Sequence, residues 1–212
     1  MTNLIISPAM LKTYEQCKKK FFLQYVRNIY MPKSETNFET GKNIHAIARY
    51  YLSGLDIKKF ENSLSENELK LWKDLQNNEF FCKTPVKTEF QLNFKLKNLW
   101  FGGRIDAIVR EENNYYILDY KTGNAPKDAK YDYQTMIYLL ATSKYLENYD
   151  KLKFVYISLK NNENIIIDTT KELFEEYESK LTKAGEKLTT VTENNLPNKT
   201  DTCHCEYAKI CF

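Results

Sequence analysis

Two short stretches carry residue types suited to chemistry at a phosphate. "YYILDYKTGN", residues 115–124, reads as an aromatic and aliphatic strand until Asp119, Tyr120 and Lys121 arrive before the turn. Side chains alternate along a strand, so Asp119 and Lys121 share one face and Tyr120 takes the other. In "GGRIDAIV", residues 102–109, Ile105, Ala107 and Val109 make one face while Asp106 shares the other with Ile108. On adjoining antiparallel strands the two carboxylates come within reach of one divalent ion, magnesium or manganese, hard cations that take oxygen ligands. Lys121 then lies where it could touch a phosphate or the water attacking it, and a metal with a lysine neutralises phosphodiester charge. The plainer alternative is a salt bridge between Asp119 and Lys121 at a strand end.

Other residues could complete such a site. "YDYQTMIYLLATSKYL" places Gln134, Tyr138, Ala141 and Tyr145 on one helical stripe, with Gln134 and Tyr138 offering hydrogen-bonding groups toward the strand ends. "GKNIHAIARYYL" puts Gly41, His45, Ala48 and Leu52 on another, and His45 is one of only two histidines in a chain where a third metal ligand is wanted. Glu89 falls on the polar face of its strand, where it would either reinforce the site or be solvated.

The elements that must hold these residues are legible from periodicity and caps. Ser7-Pro8 reads as a helix start, and a helix is expected through "AMLKTYEQCKKKFFLQYV". A second helix covers about 38–53, and "SENE" from Ser65 is a capping box opening a third through about Leu75. "VKTEFQLNFKL" from Val86 alternates cleanly, "LWFGGRIDAIV" follows, and with 115–121 these make an antiparallel meander. A helix over about 131–146, the strand "KLKFVYISL", the strand "IIID" and a helix over about 170–188 complete the order. The expected fold is α/β (α+β), a mixed central sheet flanked by helices and preceded by a helical segment. Residues 1–80 form that segment with Cys17 and His45, 81–190 the core, and 191–212 a cysteine-rich tail packed back on the first helices as part of one compact unit.

Composition sets bounds. With 212 residues, 42% hydrophobic and 28% charged, the chain is globular, and its net charge of +3 is compatible with a polyanionic partner. No apolar run reaches membrane-span length and the start lacks the pattern of a signal peptide, so a cytoplasmic protein is expected. "TGKN" from Thr40 lacks the further residues of a phosphate-binding P-loop, and no Gly-x-Ser-x-Gly is present. Five cysteines are an odd number: Cys17 near the start, Cys82 alone, and Cys203, Cys205 and Cys211 crowded at the end. A disulfide framework is not expected in a reducing compartment.

The ordered set "GGRIDAIV", "YYILDYKTG" and Gln134-x-x-x-Tyr138, with the opening "SPAMLKTYEQCKKKFFLQYV" and "GKNIHAIARYYL", resembles the PD-(D/E)xK nuclease superfamily in its RecB-like branch. The resemblance spans nearly the whole chain. It implies a restriction-endonuclease-like core and metal-dependent hydrolysis of DNA phosphodiesters, with magnesium or manganese held by His45, Asp106, Asp119 and the backbone carbonyl of Tyr120. Lys121 would be the catalytic lysine, with Gln134 and Tyr138 orienting it or the substrate. It also implies an iron–sulfur cluster, of the 4Fe-4S kind, on Cys17, Cys203, Cys205 and Cys211, as in the CRISPR-associated exonucleases and a bacterial helicase–nuclease subunit. The usual tail of those proteins is Cys-x-x-Cys-x5-Cys, whereas "CHCEYAKIC" has one residue between its first two cysteines. Zinc held by Cys17, Cys205, Cys211 and either Cys203 or His204 is the competing assignment. The implied role is an exonuclease of the CRISPR-associated type acting on DNA single strands or ends, with an integrase or helicase partner and no membrane. A phage or recombination nuclease, or a DNA-binding assembly subunit without activity, are the alternatives.

Overall fold

The computed structural model describes residues 4–31, 39–197 and 205–211. The chain opens with a two-residue strand β1 (Ile5–Ile6) and helix α1 (Pro8–Gln16). Ser7 caps α1 by accepting the Met10 N–H at 3.3 Å, with Pro8 in the first turn, where a missing N–H costs nothing. The helix expected to run on to Val26 breaks at Cys17, whose backbone is extended at φ −161°. Its Sγ accepts the Lys20 N–H at 3.4 Å and starts a new turn, α2 (Lys18–Phe21), which leads into a wide turn over Phe22–Val26. The apolar stripe hides this break because Met10, Leu11, Phe21 and Phe22 are buried on both sides of it.

Helices α3 (Glu39–Leu52), α4 (Lys58–Glu61) and α5 (Glu66–Gln76) follow. The expected capping box is present: Ser65 and Glu68 exchange hydrogen bonds across the first turn of α5. Strands β2 (Thr84–Leu96), β3 (Leu99–Glu111) and β4 (Asn114–Lys121) form the antiparallel meander. Helix α6 (Tyr133–Tyr145) crosses to β5 (Lys151–Ser158), which pairs parallel with β4. Strand β6 (Glu163–Asp168) returns antiparallel to β5, and helix α7 (Lys171–Thr189) closes the core. Among the described residues this is a mixed six-stranded sheet with seven helices, in the expected α/β class. No helix among them is long and apolar enough to cross a membrane.

Helices lie on both faces. On one side Met10, Phe21, Ile137, Tyr177 and Leu181 of α1, α2, α6 and α7 pack on Ile108, Ile117 and Phe154; on the other Ile44, Ile47, Trp72 and Leu75 of α3 and α5 pack on Ala107, Val109, Leu118 and Val155. Ile105 joins the first layer rather than Ala107 and Val109, so the expected alternation breaks at Asp106. Opposite that position, between the pairs Thr88–Ala107 and Phe90–Ile105, Glu89 adopts φ +46°. A non-glycine residue rarely takes this left-handed conformation, and here it interrupts the pleat.

The short strand β1 was not expected from the sequence. It pairs parallel with the first half of β3, on the edge whose second half carries β4. Two residues are too few to show a period.

Candidate active site

The β3–β4 ladder ends at the pair Ala107–Leu118. Asp106 and Asp119 come next in that register, but there β4 leaves β3 and stays with β5 as far as the pair Lys121–Ser158. The sheet forks. Asp106 Oδ2 occupies the fork by accepting the Tyr120 N–H at 3.1 Å, a donor the ladder no longer satisfies.

From α3, in the layer above, His45 reaches into the fork. Its Nδ1 lies 3.2 Å from Asp106 Oδ1 and its Nε2 3.0 Å from the Tyr120 carbonyl oxygen. Both ring nitrogens thus face acceptors, which the imidazolium form satisfies by donating from each. Burial works against that charged form, but the hydrogen bond and charge of Asp106, with the charge of Asp119, outweigh it and raise the His45 pKa.

Asp119 is only 2% exposed. Its Oδ2 lies 2.7 Å from Lys121 Nζ, and its Oδ1 accepts the Gln134 side-chain amide, whose own oxygen sits 3.4 Å from the same Nζ. Gln134 therefore braces acid and lysine together. Burial, then the charge of Asp106, push Asp119 up to about 6 against the pull of Lys121. For Lys121, burial lowers the pKa but Asp119 outweighs it, so the ammonium stays charged. The salt bridge between Asp119 and Lys121 is thus present, set at a fork rather than on an open surface.

Helix α6 is aimed by its cap. Asp132 Oδ1 accepts the Gln134 N–H at 2.9 Å, and Oδ2 lies 2.6 Å from Lys12 Nζ of α1. One turn on, Tyr138 lies against β3 at Gly103, where a Cβ would stand 2.7 Å from the ring. The Tyr138 hydroxyl accepts the Arg104 N–H, and burial raises its pKa.

Glu89 is the residue that sequence reasoning left undecided. Its ligand oxygen, one from Asp106 and a His45 ring nitrogen lie within 4.8 Å of one another. One nitrogen and two carboxylates, with the Tyr120 carbonyl beside them, are a donor set that fits a hard divalent cation. Glu89 Oε2 also lies 2.7 Å from Arg104 Nε. Period-two alternation ranks it with Lys87, Gln91 and Asn93, so only the left-handed backbone turn distinguishes it. The structure groups His45, Glu89, Asp106 and the Tyr120 carbonyl, with Asp119, Lys121 and Gln134 alongside. An open cavity of about 530 Å³ leads to the group, and its wall includes Lys42, Arg49 and Arg104.

Of the cysteines, Cys203 lies outside the described residues, as does His204. Cys17 sits at the break between α1 and α2, and Cys205 stands near enough to Lys20 to act on its charge. Glu206 pairs with Lys20 at 2.9 Å and Tyr207 donates to the Ile29 carbonyl at 2.9 Å. The 205–211 segment therefore contacts the first helices. Cys82 is remote and exposed, its thiol bonded to the Gln76 carbonyl at 3.1 Å.

The chain matches the PD-(D/E)XK nuclease superfamily over residues 5–80 and 63–212. It is similar to the CRISPR-associated exonuclease Cas4 of Francisella tularensis subsp. novicida, 28% identical over 127 residues, covering 58% of this chain and 61% of that one. The Gene 69 protein of Mycobacterium phage L5 is 37% identical over 73 residues, covering 34% of this chain and 23% of the phage protein. The chain thus spans less than two thirds of the length of these curated relatives. A solved structure from Eubacterium rectale, described as a candidate exonuclease, aligns over 97% of this chain and 87% of its own at a TM-score of 0.58 and 11% identity, a likeness of fold.

Proposed function

Because the chain belongs to the PD-(D/E)XK nuclease superfamily, we propose that it hydrolyses DNA phosphodiester bonds in a reaction that depends on magnesium or manganese. The observation that carries the reading is the fork itself, where an unpaired stretch of sheet turns His45, Glu89, Asp106 and the Tyr120 carbonyl toward one another beside a charged lysine. His45, Asp106, Asp119 and the Tyr120 carbonyl would hold the ion, with Glu89 within reach. Bound there, it would supply charge neutralisation at the phosphodiester and activation of water. Lys121 brings a second positive charge, kept protonated by Asp119 and held in place by Gln134. Tyr138, fixed by Arg104 and packed on Gly103, supports the strand that carries Asp106. Lys42, Arg49 and Arg104 at the cavity wall would receive backbone phosphates.

The finer reading is an exonuclease of the CRISPR-associated RecB-like type, supported by the likeness to Cas4. An integrase or helicase partner would follow from that role. The likeness to a phage protein supports the alternative of a phage or recombination nuclease. A subunit that only binds DNA has less support, because it gains nothing from two carboxylates and a histidine converging in a partly buried fork. Cys17, Cys203, Cys205 and Cys211 would hold an iron–sulfur cluster, with zinc as the competing metal. The contacts of Glu206 and Tyr207 with Lys20 and Ile29 bring part of that set toward the first helices.

The test is cleavage of end-labelled DNA by purified protein with magnesium or manganese. Cleavage should stop in chelator and fall below detection in Asp106→Ala. Full activity in excess chelator would overturn the mechanism.

A further inference from the structure

We infer that the cleft between α1, the start of α6 and α7 is the docking groove for an unpaired nucleic-acid strand as it leaves the fork. The inference rests on the nuclease reading for the position of the fork, and on the cleft for everything else. The cleft holds about 370 Å³ and its lining includes Tyr14, Tyr131, Tyr133, Lys180, Lys183 and Lys187. Lysines at i, i+3 and i+7 lie along one stripe of α7, and all three are exposed. Lys183 and Lys187 make no ion pair among the described residues. Lys180 stands 3.5 Å from the centre of the Tyr131 ring and 3.1 Å from Glu176.

The aromatic side is held in place. Tyr131 donates its hydroxyl to Glu176 at 3.0 Å, and Tyr133 donates to Glu15. Glu15 and Glu176 are thus engaged with phenols and with Lys180, while the exposed Lys183 and Lys187 have no ion pair among the described residues. Rings fixed at the hydroxyl end lose little freedom when a flat group settles between them. Tyrosines interleaved with lysines match a strand whose bases offer free faces and whose phosphates repeat along one side. A duplex has no free base faces to offer, so the aromatic lining selects unpaired nucleotides.

The cleft and the fork both border the start of α6. Tyr133 directly precedes Gln134, which braces Asp119 and Lys121. Asp132 on the other side of Tyr133 is held by Lys12 of α1, so the cleft and the fork share the cap of α6. A strand with its scissile phosphate at the fork would pass the start of α6 to enter the cleft.

The experiment measures binding in chelator, where the strand stays intact. Fluorescence anisotropy would follow a labelled oligothymidine 12-mer and a blunt duplex over a salt series, with wild type and with the double variant Lys183→Ala, Lys187→Ala. Loss of two phosphate contacts should weaken single-strand binding roughly tenfold and flatten the log–log salt slope by about 1.4. Duplex affinity should change less than about twofold. The single variant Lys187→Glu, at an exposed position, should show the same preference, and unchanged melting temperatures guard both readings. Equal loss for strand and duplex, unchanged strand affinity, or tighter binding of an acidic peptide than of the strand would overturn the inference. Wild-type cleavage with magnesium is scored separately. Cleavage without the lysine effect removes the groove alone, and the lysine effect without cleavage removes the nuclease reading alone.

Discussion

Replacing Gly103 by alanine probes the support of the site by a single methyl group. Ordinarily the change should help, since a glycine inside a strand costs about 0.5–1 kcal/mol in chain entropy relative to alanine. Here the new Cβ would stand 2.7 Å from Tyr138 Cε1 and 2.9 Å from its hydroxyl oxygen. Restoring ordinary contact requires the ring to withdraw by roughly 0.7 Å. The ring has little room, because Tyr138 is buried, lies 6.4 Å from Phe154 centre to centre, and is tied to the Arg104 N–H. Overpacking of this kind costs about 1–3 kcal/mol. The clash outweighs the entropy gain, and we expect a net loss of about 1–2 kcal/mol, a fall of about 3–6 °C in Tm for a chain of this size. Cleavage should fall further than stability, by about tenfold or more, because Asp106 lies three residues along the same strand and small displacements at a reacting centre are expensive. Calorimetry and a cleavage time course measure the two effects. Tyr138→Leu in the Gly103→Ala background removes the ring, so the pair should be non-additive by more than about 0.5 kcal/mol. A rise in Tm for Gly103→Ala, or additivity in the cycle, would refute the reasoning.

Lys121→Ala removes the cation beside Asp119 and should lower cleavage by about 100-fold or more while magnesium still raises the Tm, as read by calorimetry with and without metal. The α5 cap predicts a pH dependence of stability. Hydrogen bonds from the Ser65 N–H, the Asn43 amide and the Ser65 hydroxyl hold the Glu68 carboxyl below its ordinary value of 4.5. Its contribution is therefore fully present above that value and lost as pH falls through the lower folded one. Ser65→Ala should cost about 1 kcal/mol at neutral pH and less in acid, measured by urea unfolding across that window. Protein purified without oxygen should be brown, Cys205→Ser should bleach it and lower its Tm, and Cys82→Ser should do neither. A colourless protein with stoichiometric zinc would favour the competing metal.

Local chemistry was open to reading from the residues alone. Ser65 and Glu68 announce the start of α5, and the alternation of Leu92, Phe94 and Leu96 matches their burial. Asp119 and Lys121 share a face because a strand's period is two, and on that face they meet at 2.7 Å. The resemblance in ordered motifs carried the family, since it depends on spacing along the chain.

The tertiary structure decided what no period encodes. Cys17 interrupts a helix whose apolar stripe runs unbroken through it, because its sulfur captures the Lys20 N–H and opens a second start. Ile105 and Ala107 separate into opposite layers, and Glu89 turns left-handed, because two long strands bend together where the next strand departs. That departure makes the site. β4 keeps its ladder with β5 and gives up β3 beyond Ala107–Leu118, freeing the Tyr120 N–H for Asp106 and the Tyr120 carbonyl for His45. Which of two neighbours a strand follows is settled by packing among segments more than thirty residues apart. A sequence can name the residues at the end of a strand, but the partner that strand abandons there is fixed only when both layers of helices close on the sheet.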